Sequence, residues 1–403
     1  MDFTADHSAG HPFFCPGYRE SGSLARQKIL SRLRENDPEK LQSLWNEADA
    51  VRRRNVGDAV HLRGLIELSN CCRRDCLYCG VRIGNRNPRR YRLEDGEVLE
   101  AARKAVAFGY GSLVIQSGED PGLDGDRVTR LIRRIKETTP LAVTLSLGER
   151  SESDWEAWRQ AGADRYLLRF ESSNQRLFEA IHPPAAGPEA PTVPNRIVLL
   201  ERLRRIGFEI GSGIMSGIPG QTWDDLADDL LLFAQLDLDM IGCGPFLPHP
   251  DTPLGAAFPP DPATGLYVPG PLTEEQRRFC AASGLPEPSP TEQVVSSETL
   301  AFKVIALARL LCPTANIPST TAIATIDPKR GRMLGLSRGA NVVMPNLTPT
   351  AYRALYEIYP NKAARFESAE QTHAQVIEHL AALGRPPGTG PGGRVRSEKP
   401  RGT

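Results

Sequence analysis

Three cysteines, Cys72, Cys76 and Cys79, form a C-x3-C-x2-C pattern shortly after an apolar run that begins at Leu65. Each thiolate can bind one iron of a [4Fe–4S] cluster, and three thiolates leave the fourth iron without a protein ligand. An open iron is a site at which a small molecule can bind and react. The neighbouring Cys71 offers an alternative C-x4-C register for the first ligand.

Zinc is the competing metal for these cysteines. Structural zinc sites are tetrahedral and take four protein ligands, commonly as C-x2-C pairs. No second pair is present, so the pattern favours an iron–sulfur cluster over zinc. Both metals are favoured over unliganded thiols, and the eight cysteines lack the secretory context that disulfides need. A non-catalytic iron–sulfur or zinc carrier remains an alternative hypothesis from a different class.

The overall composition points to a small-molecule substrate. The 403 residues carry 49 basic and 49 acidic side chains, so no global charge favours nucleic acid or an anionic membrane. No apolar stretch is long enough to span a bilayer, and the first residues lack the pattern of a secretory signal. We expect no nucleic-acid partner, no membrane association and a cytoplasmic location, where reducing conditions suit a low-potential cluster.

The elements that would position the cysteines alternate between strands and helices. Asp37 and Pro38 are typical of a helix start, and an apolar face continues from there to about Arg53. Beyond it, short apolar runs alternate with amphipathic helices, the pattern of parallel βα units. Strands are predicted at residues 63–69, 112–117, 142–147, 165–171, 209–216, 240–246, 315–322 and 341–346.

Eight parallel strands, each followed by a helix, predict an α/β fold with a complete (βα)8 TIM-type barrel. We assign residues 1–60 to an N-terminal arm and helix that pack on the barrel, and residues 61–384 to the barrel itself. Pro-rich insertions are predicted at 182–194 and 253–290. The Gly- and Pro-rich tail at 385–403 is predicted to be disordered.

Reactive groups of such a barrel gather at the carboxyl ends of its strands, where the cysteines fall. The second predicted strand ends in the polar stretch from Gln116 to Asp120. On the fourth predicted strand, Arg169 and Glu171 share one face. A charge that points into a barrel needs a partner, which an anionic ligand would supply. Small polar or sulfur-bearing side chains on other strands suit ligand positioning: Thr144, Ser146, Ser212, Met215, Cys243, Thr320 and Thr321. Motifs of serine hydrolases, P-loop enzymes and zinc proteases are absent.

The cysteine spacing, with aromatic Tyr78 before the third cysteine, resembles the radical S-adenosylmethionine (SAM) superfamily. That resemblance assigns the first ligand to Cys72 and leaves Cys71 to packing. It implies that the open iron is chelated by the amino and carboxylate groups of SAM. It also implies that the reduced cluster cleaves SAM to a 5'-deoxyadenosyl radical.

Further stretches resemble the HydE-type maturases of [FeFe]-hydrogenase within that superfamily. The resemblance runs from about Leu41 to about Gly384, outside the insertions. It is carried by residues 61–67, 76–80, 116–120, 143–149, 166–169, 217–222, 244–253, 317–321 and 339–346.

This resemblance implies roles for individual residues. The single [4Fe–4S] cluster would be bound by Cys72, Cys76 and Cys79. The residues implied around SAM are Tyr78, Gly118, Glu119, Ser146, Glu171, Arg196 and Met215, with Arg196 meeting the SAM carboxylate. The residues implied around the substrate are Thr144, Arg169, Thr320, Thr321, Met344, Tyr356 and Tyr359, with Arg169 as the anion anchor.

The substrate implied by the resemblance is a cysteine-bound iron carbonyl cyanide complex made by a companion maturase, with the radical attacking sulfur. The product would feed the diiron subcluster assembled on a scaffold GTPase, and an external low-potential donor would supply electrons. Two features depart from the family. The stretch 362–375 lacks the cysteines of an auxiliary cluster, and Phe170 replaces a histidine of some members. The insertion at 253–290 has no counterpart that we can name.

Two rivals belong to the same superfamily. A biotin-synthase-like sulfur inserter needs cysteines on the middle strands, and predicted strands three to five have none. A methylornithine-synthase-like mutase stays open, because an arginine that binds a metal-complex anion could equally bind an amino-acid carboxylate.

Overall fold

The computed structural model describes residues 22–184, 195–363 and 366–395 of the chain. The arm predicted at the start of the chain lies outside these residues, as does most of the insertion predicted at 182–194.

A parallel sheet forms the centre of the molecule. Its strands are β1 (His61–Ser69), β2 (Ser112–Ser117), β3 (Ala142–Ser146), β4 (Arg165–Leu167), β5 (Glu209–Ser216), β6 (Met240–Pro245) and β7 (Val342–Val343). They are ordered β6-β5-β4-β3-β2-β1-β7, and every neighbouring pair is parallel. Most strand positions are buried, because helices cover the sheet and leave little of it to water.

The described part of the chain therefore has seven strands where we predicted eight. The predicted strand at 315–322 is reduced to two isolated bridges, Asn316 with Met240 and Pro318 with Val342. Proline has no N–H to donate to a ladder, and a helix begins at Thr321. The fourth and last predicted strands exist but are shorter, ending at Leu167 and Val343.

Fifteen helices occur in the described residues. They are α1 (Gly22–Arg34), α2 (Pro38–Val56), α3 (Asp95–Ala107), α4 (Gly125–Thr138), α5 (Glu152–Gln160), α6 (Gln175–Ile181), α7 (Arg196–Ile206), α8 (Trp223–Gln235), α9 (Pro253–Ala257), α10 (Glu274–Ser283), α11 (Glu298–Leu311), α12 (Thr321–Ile326), α13 (Gly331–Leu336), α14 (Thr350–Arg353) and α15 (Ala369–Ala382). The predicted start of α2 is confirmed: Asp37 accepts hydrogen bonds from the backbone of Glu39 and Lys40. Helix α2 buries Leu44 and Trp45 and packs on α11.

The region predicted as the insertion 253–290 is folded and contains α9 and α10. Its apolar side chains form a small core of their own with neighbouring elements. Members of this core include Leu177, Phe246, Leu254, Phe258, Tyr267 and Cys280. Gln293, just beyond it, donates to the carbonyl of Ile218 at 3.0 Å, which ties the region to the end of β5.

The described part of the tail, 385–395, differs from the disorder that we predicted. Pro387 bridges Val60 in parallel, and the chain then crosses the amino ends of the strands. There Gly392 accepts a hydrogen bond from Arg63 at 2.9 Å, and Pro391 accepts one from Arg165 at 2.8 Å. Composition alone missed this, because the glycine-rich backbone itself supplies the acceptors that buried arginines need. We refer to residues 387–394 as the C-terminal strap.

No helix among the described residues has the length and apolar character needed to cross a bilayer.

Candidate active site

A cavity of about 310 Å³ lies inside the sheet, toward the carboxyl ends of the strands. All seven residues predicted to contact the substrate lie on its wall: Thr144, Arg169, Thr320, Thr321, Met344, Tyr356 and Tyr359. Four of those predicted near SAM also line it: Tyr78, Ser146, Glu171 and Met215. Residues far apart in sequence thus meet at one site, as the barrel rule requires.

The cysteine loop follows β1 and is pressed against the end of β2. Gly118 donates its N–H to the carbonyl of Ser69 at 3.0 Å. A Cβ on Gly118 would collide with the carbonyl of Cys71 and lie 2.8 Å from the Cβ of Cys72. Glycine at this position therefore lets the loop approach the sheet.

The same loop is held from the other side by the segment after α14. Gly80 donates its N–H to the carbonyl of Ile358 at 3.0 Å, and a Cβ on Gly80 would collide with the carbonyl of Glu357. The same Cβ would lie 2.7 Å from the ring of His249. The loop that carries the three cysteines is therefore packed between the end of β2 on one side and the segment after α14 on the other.

The three cysteines are half-buried, and their thiols lie near one another. Burial raises the pKa of Cys79 to about 12, and the nearby Cys72 adds to the rise. Burial likewise raises the pKa of Cys76 well above its usual range, with contributions from Cys79 and Cys72. Burial raises the pKa of Cys72 as well. Three thiolates can coexist here only with a cationic partner, and the irons of a cluster would supply that charge.

The cysteines fit a cluster better than a single ion. In the described ranges, no three His, Cys, Asp or Glu side chains are placed to hold one metal ion. Each cysteine of a [4Fe–4S] site binds a different iron, so the sulfurs need not converge on one point. Cys79 lies on the cavity wall, so an iron bound near it would face the predicted substrate residues.

Tyr78 joins the cysteine loop to the end of α6. Its hydroxyl lies 2.9 Å from Nε2 of His182, and the two rings meet edge to face. Burial, then the Glu171 carboxylate, raises the pKa of Tyr78 well above its usual range. Burial, then Arg196, lowers the pKa of His182 well below its usual value. Both side chains are therefore neutral near pH 7, and Tyr78 contributes a polar edge to the cavity without a charge.

A network of ion pairs connects the cysteine loop to the ends of β2, β3 and β4. Arg74 pairs with Glu119 at 2.9 Å and makes a short contact with Glu149. Arg196 pairs with Glu149 at 2.9 Å and donates to the carbonyl of Arg169 at 2.7 Å. We refer to Arg74, Glu119, Glu149 and Arg196 as the upper ion network. Glu119 and Arg196, which were predicted to contact SAM, lie in this network rather than on the cavity wall.

The arginines of the network act against the effect of burial on Glu149. Burial raises the pKa of Glu149, while Arg196 and Arg74 oppose that rise. Burial alone would lower the pKa of Arg196, but the attraction of Glu149 outweighs it, so the pKa is raised. Removal of one partner would leave a buried charge without compensation.

Arg169 and Glu171 form the charged pair that faces the cavity. Their Nε and Oε1 atoms are 3.0 Å apart, and Arg169 Nη2 donates to the carbonyl of Ile214 at 2.5 Å. Glu171 has a φ of 59°, in the left-handed region that non-glycine residues rarely adopt. Strain of this kind is concentrated at functional sites.

A buried pair on the cavity wall, Glu67 with Lys362, was not predicted from the sequence. Lys362 Nζ lies 2.5 Å from Glu67 Oε1 and 2.7 Å from the carbonyl of Tyr356, while Asn346 donates to Glu67 Oε2 at 3.1 Å. Glu67 did carry a signal, since it interrupts an apolar strand. Lys362 lies in a loop and carried none.

Two further features of the cavity wall were not predicted: the presence of Arg63, and the lack of a hydrogen-bond partner for the Thr144 hydroxyl. Arg63 is buried beside Met240 and the C-terminal strap. Its pKa falls to about 9, first through burial and then through Arg165, so its guanidinium stays charged near pH 7. Thr144 Oγ1 is buried and has no hydrogen-bond partner among the described residues. A polar atom in that position can bond to a ligand in the cavity.

Comparison with known proteins agrees with this geometry. Residues 66–233 match the family model for the radical SAM superfamily. The chain is 42% identical over 377 residues to the [FeFe] hydrogenase maturase subunit HydE of Thermotoga maritima, covering 94% of this chain and 96% of that protein. The chain belongs to the HydE-type family of radical SAM enzymes. Like other radical SAM enzymes, this HydE-type protein uses a [4Fe–4S] cluster and SAM.

More distant similarity extends to another branch of the superfamily. The chain is 25% identical over 370 residues to 3-methylornithine synthase of Methanosarcina acetivorans, covering 91% of each. A solved structure of methylornithine synthase (PylB) superposes with a TM-score of 0.68 at 21% identity, covering 92% of this chain and 95% of that one. The structural likeness shows the shared fold alone.

Proposed function

We propose that this enzyme uses SAM-derived radical chemistry on a sulfur-containing iron carbonyl cyanide complex during assembly of the [FeFe]-hydrogenase diiron subcluster. The observation that carries the proposal is the 42% identity to the Thermotoga maritima maturase across 94% of the chain. It spans the cysteine loop, the ion network and the cavity wall together, rather than the cluster motif alone.

Each part of the site has a proposed task. Cys72, Cys76 and Cys79 hold the cluster and leave one iron open. Bound cluster and SAM supply the 5'-deoxyadenosyl radical. Tyr78, Gly118, Ser146, Glu171 and Met215 position SAM, with Glu119 and Arg196 supporting them from the upper ion network.

The cavity suits a small anion that also carries polar atoms. Its wall contains three basic side chains, Arg63, Arg169 and Lys362, against two carboxylates, Glu67 and Glu171. The surplus positive charge favours an anionic ligand, because a charge buried without a partner is costly. Arg169 is the proposed anchor, since its guanidinium already faces the cavity beside Glu171.

The remaining wall residues would orient the substrate. The unpartnered hydroxyl of Thr144 can donate to a ligand atom, with Thr320 and Thr321 across the cavity. Met344 contributes a polarisable thioether, and Tyr356 and Tyr359 close the wall near Lys362. None of these threonine, methionine and tyrosine side chains is a strong acid or base, so their proposed task is to position the substrate and exclude water.

We further infer that the segment at 315–318 takes the place of an eighth strand and closes the barrel. Its bridges to Met240 on one side and Val342 on the other support that inference. The proposed partners are companion maturases, including a scaffold GTPase, and an external low-potential electron donor, and the proposed location is the cytoplasm.

A second candidate function is that of an amino-acid mutase like 3-methylornithine synthase. It is favoured by the 25% identity over 91% of both chains. Arg169 would then bind the carboxylate of the amino acid.

One experiment separates the two candidates. Reconstituted, reduced enzyme is incubated anaerobically with SAM and either the cysteine-bound iron carbonyl cyanide complex or a panel of free amino acids. We expect 5'-deoxyadenosine to form and the infrared bands of the complex to change, with the amino acids recovered intact. An unchanged complex together with conversion of an amino acid would support the mutase. Arg169→Gln should abolish turnover of the complex, whereas Arg202→Gln on the surface should not.

A further inference from the structure

The segment that carries the cluster cysteines is strongly basic. Between residues 70 and 92 the chain has seven arginines and one acidic residue, Asp75, although the whole protein has a formal net charge of zero. The excess is therefore a local property of the cysteine loop and the residues that follow it.

Most of these arginines are committed to internal contacts. Arg73 pairs with Glu119, Arg82 with Asp75 and Arg92 with Asp120, and Arg74 belongs to the upper ion network. Arg90 donates to four main-chain carbonyls, those of Asn70, Val81, Arg82 and Asn85, at 2.6–2.8 Å. Those four bonds hold the loop in one shape, so the surface that it presents is preformed.

Two arginines remain, Arg86 and Arg89. Both are exposed, and neither guanidinium forms an ion pair with another described residue. Close to them in the sequence, Ile83 is 51% exposed and adds apolar surface to the two charges. We refer to Ile83, Arg86, Asn87 and Arg89 as the basic collar.

The collar is connected to the cysteine loop through short main-chain links. Ile83 donates its N–H to the carbonyl of Arg74, which lies between Cys72 and Cys76, at 2.9 Å. Arg82 donates to the carbonyl of Cys79 at 3.1 Å. The collar is therefore joined by main-chain hydrogen bonds to the loop that carries the cysteine ligands.

We propose that the basic collar is the docking surface for an acidic, low-potential one-electron carrier protein. The inference deepens the proposed function, because it rests on a cluster that must be reduced. The carrier gives up one electron and the cluster gains it, with no proton or group transferred.

An acidic redox protein fits the collar better than other partners. Two free positive charges around one apolar side chain match a small, transient interface, the kind that redox partners form. Complementary charge of this kind raises the rate of encounter more than the affinity. Nucleic acid needs a larger set of phosphate contacts for comparable binding.

The test compares two reductants. Arg86→Glu/Arg89→Glu is assayed for 5'-deoxyadenosine formation with a limiting, reduced plant-type [2Fe–2S] ferredoxin, and separately with reduced methyl viologen, a small cation. The matched control is Arg130→Glu/Arg134→Glu on α4, where both arginines are exposed and lack ion pairs in the described part of the chain. Iron content is measured for every variant.

We expect the collar variant to lose at least about tenfold in kcat/KM for ferredoxin at low salt, because steering depends on charge. Its rate with methyl viologen should stay within about twofold of wild type, and added salt should slow wild type but not the variant. An unchanged ferredoxin rate, or equal slowing with both reductants, would overturn the docking proposal. Absence of 5'-deoxyadenosine from wild type with methyl viologen would instead overturn the proposed function. The milder Arg86→Gln/Arg89→Gln should show an intermediate loss with full iron content.

Discussion

The two ends of the parallel sheet satisfy their buried charges in different ways. At the carboxyl ends, Arg74 and Arg196 pair mainly with the carboxylates of Glu119 and Glu149, although Arg196 also donates to the carbonyl of Arg169. At the amino ends, Arg63 and Arg165 donate to main-chain carbonyls of the C-terminal strap, although Arg165 also pairs with Glu209 at 2.6 Å.

This difference indicates separate roles for the two ends: the carboxyl ends can respond to a ligand, and the amino ends are fixed. Side-chain pairs can exchange partners when a charged ligand such as SAM arrives, so the upper network can respond to binding. Carbonyls of a strap have no such freedom, and they close the floor of the cavity behind Arg63. The division agrees with the general rule that barrel enzymes react at the carboxyl ends and stabilise the other end.

The largest effect on stability should come from the upper network. Glu149→Gln leaves the buried Arg196 without its counter-ion, which should lower the free energy of unfolding by about 3–5 kcal/mol. Urea unfolding of the protein without its cluster measures this. Glu100→Gln, which breaks an exposed pair with Arg103, should cost less than about 1 kcal/mol. Equal costs for the two variants would contradict the idea that the network supports the site.

Removal of the C-terminal strap should have the next largest effect on stability. A chain that ends at Pro387 deprives Arg63 and Arg165 of carbonyl acceptors, at about 1–3 kcal/mol for each buried group left unsatisfied. The melting temperature should therefore fall, while iron loading at low temperature persists. A chain that ends at Val395 keeps every contact of the strap and serves as control. A shorter chain as stable as wild type would show that the strap carbonyls do not stabilise the amino ends of the strands.

Two glycines offer a matched comparison of the ends. Gly118→Ala pushes a methyl group against Cys71 and Cys72, whereas Gly111→Ala pushes one against the carbonyl of Gly390 in the strap. Each should cost about 1–3 kcal/mol by overpacking. Only Gly118→Ala should also reduce iron content, measured after reconstitution. Gly96→Ala, where a Cβ meets nothing, is the control. Loss of iron in the Gly111 variant would contradict the conclusion that only the carboxyl ends of the strands support the cluster.

The smallest effect concerns pH at the amino ends. Burial, then Arg63 and Arg165, lowers the pKa of His61 below its usual value of 6.5. The folded protein resists protonation that the unfolded chain accepts, so stability is complete above about pH 6.5 and falls as the pH drops below it. His61→Asn should flatten the fall in melting temperature between pH 7 and 5. An identical slope in both proteins would show that His61 does not contribute.

The sequence predicted the residues at the carboxyl ends of the strands better than the contacts at their amino ends. The cysteine motif and the strand-end residues are local patterns, and the parallel fold brings them together in a predictable way. Arg169 and Thr320 were accordingly placed on the cavity wall.

The features that were not predicted depend on contacts between segments far apart in the chain, and neither segment carries a local sequence pattern that indicates the contact. Lys362 reaches Glu67 from a loop, and the strap binds through backbone carbonyls that any sequence carries. A glycine-rich composition predicted disorder there, because composition does not record that buried arginines need acceptors. Pro318 likewise turned a predicted strand into two isolated bridges.

We infer above all that three cysteines hold a cluster whose fourth iron is free to bind SAM. Electron–nuclear double resonance on the reduced, reconstituted protein tests it with SAM labelled with 15N at its amino group. We predict a 15N coupling that appears when labelled SAM is added, in both wild type and Cys71→Ala. An electron paramagnetic resonance spectrum unchanged by SAM, with no nitrogen coupling, would mean a fully protein-ligated cluster and would contradict the account.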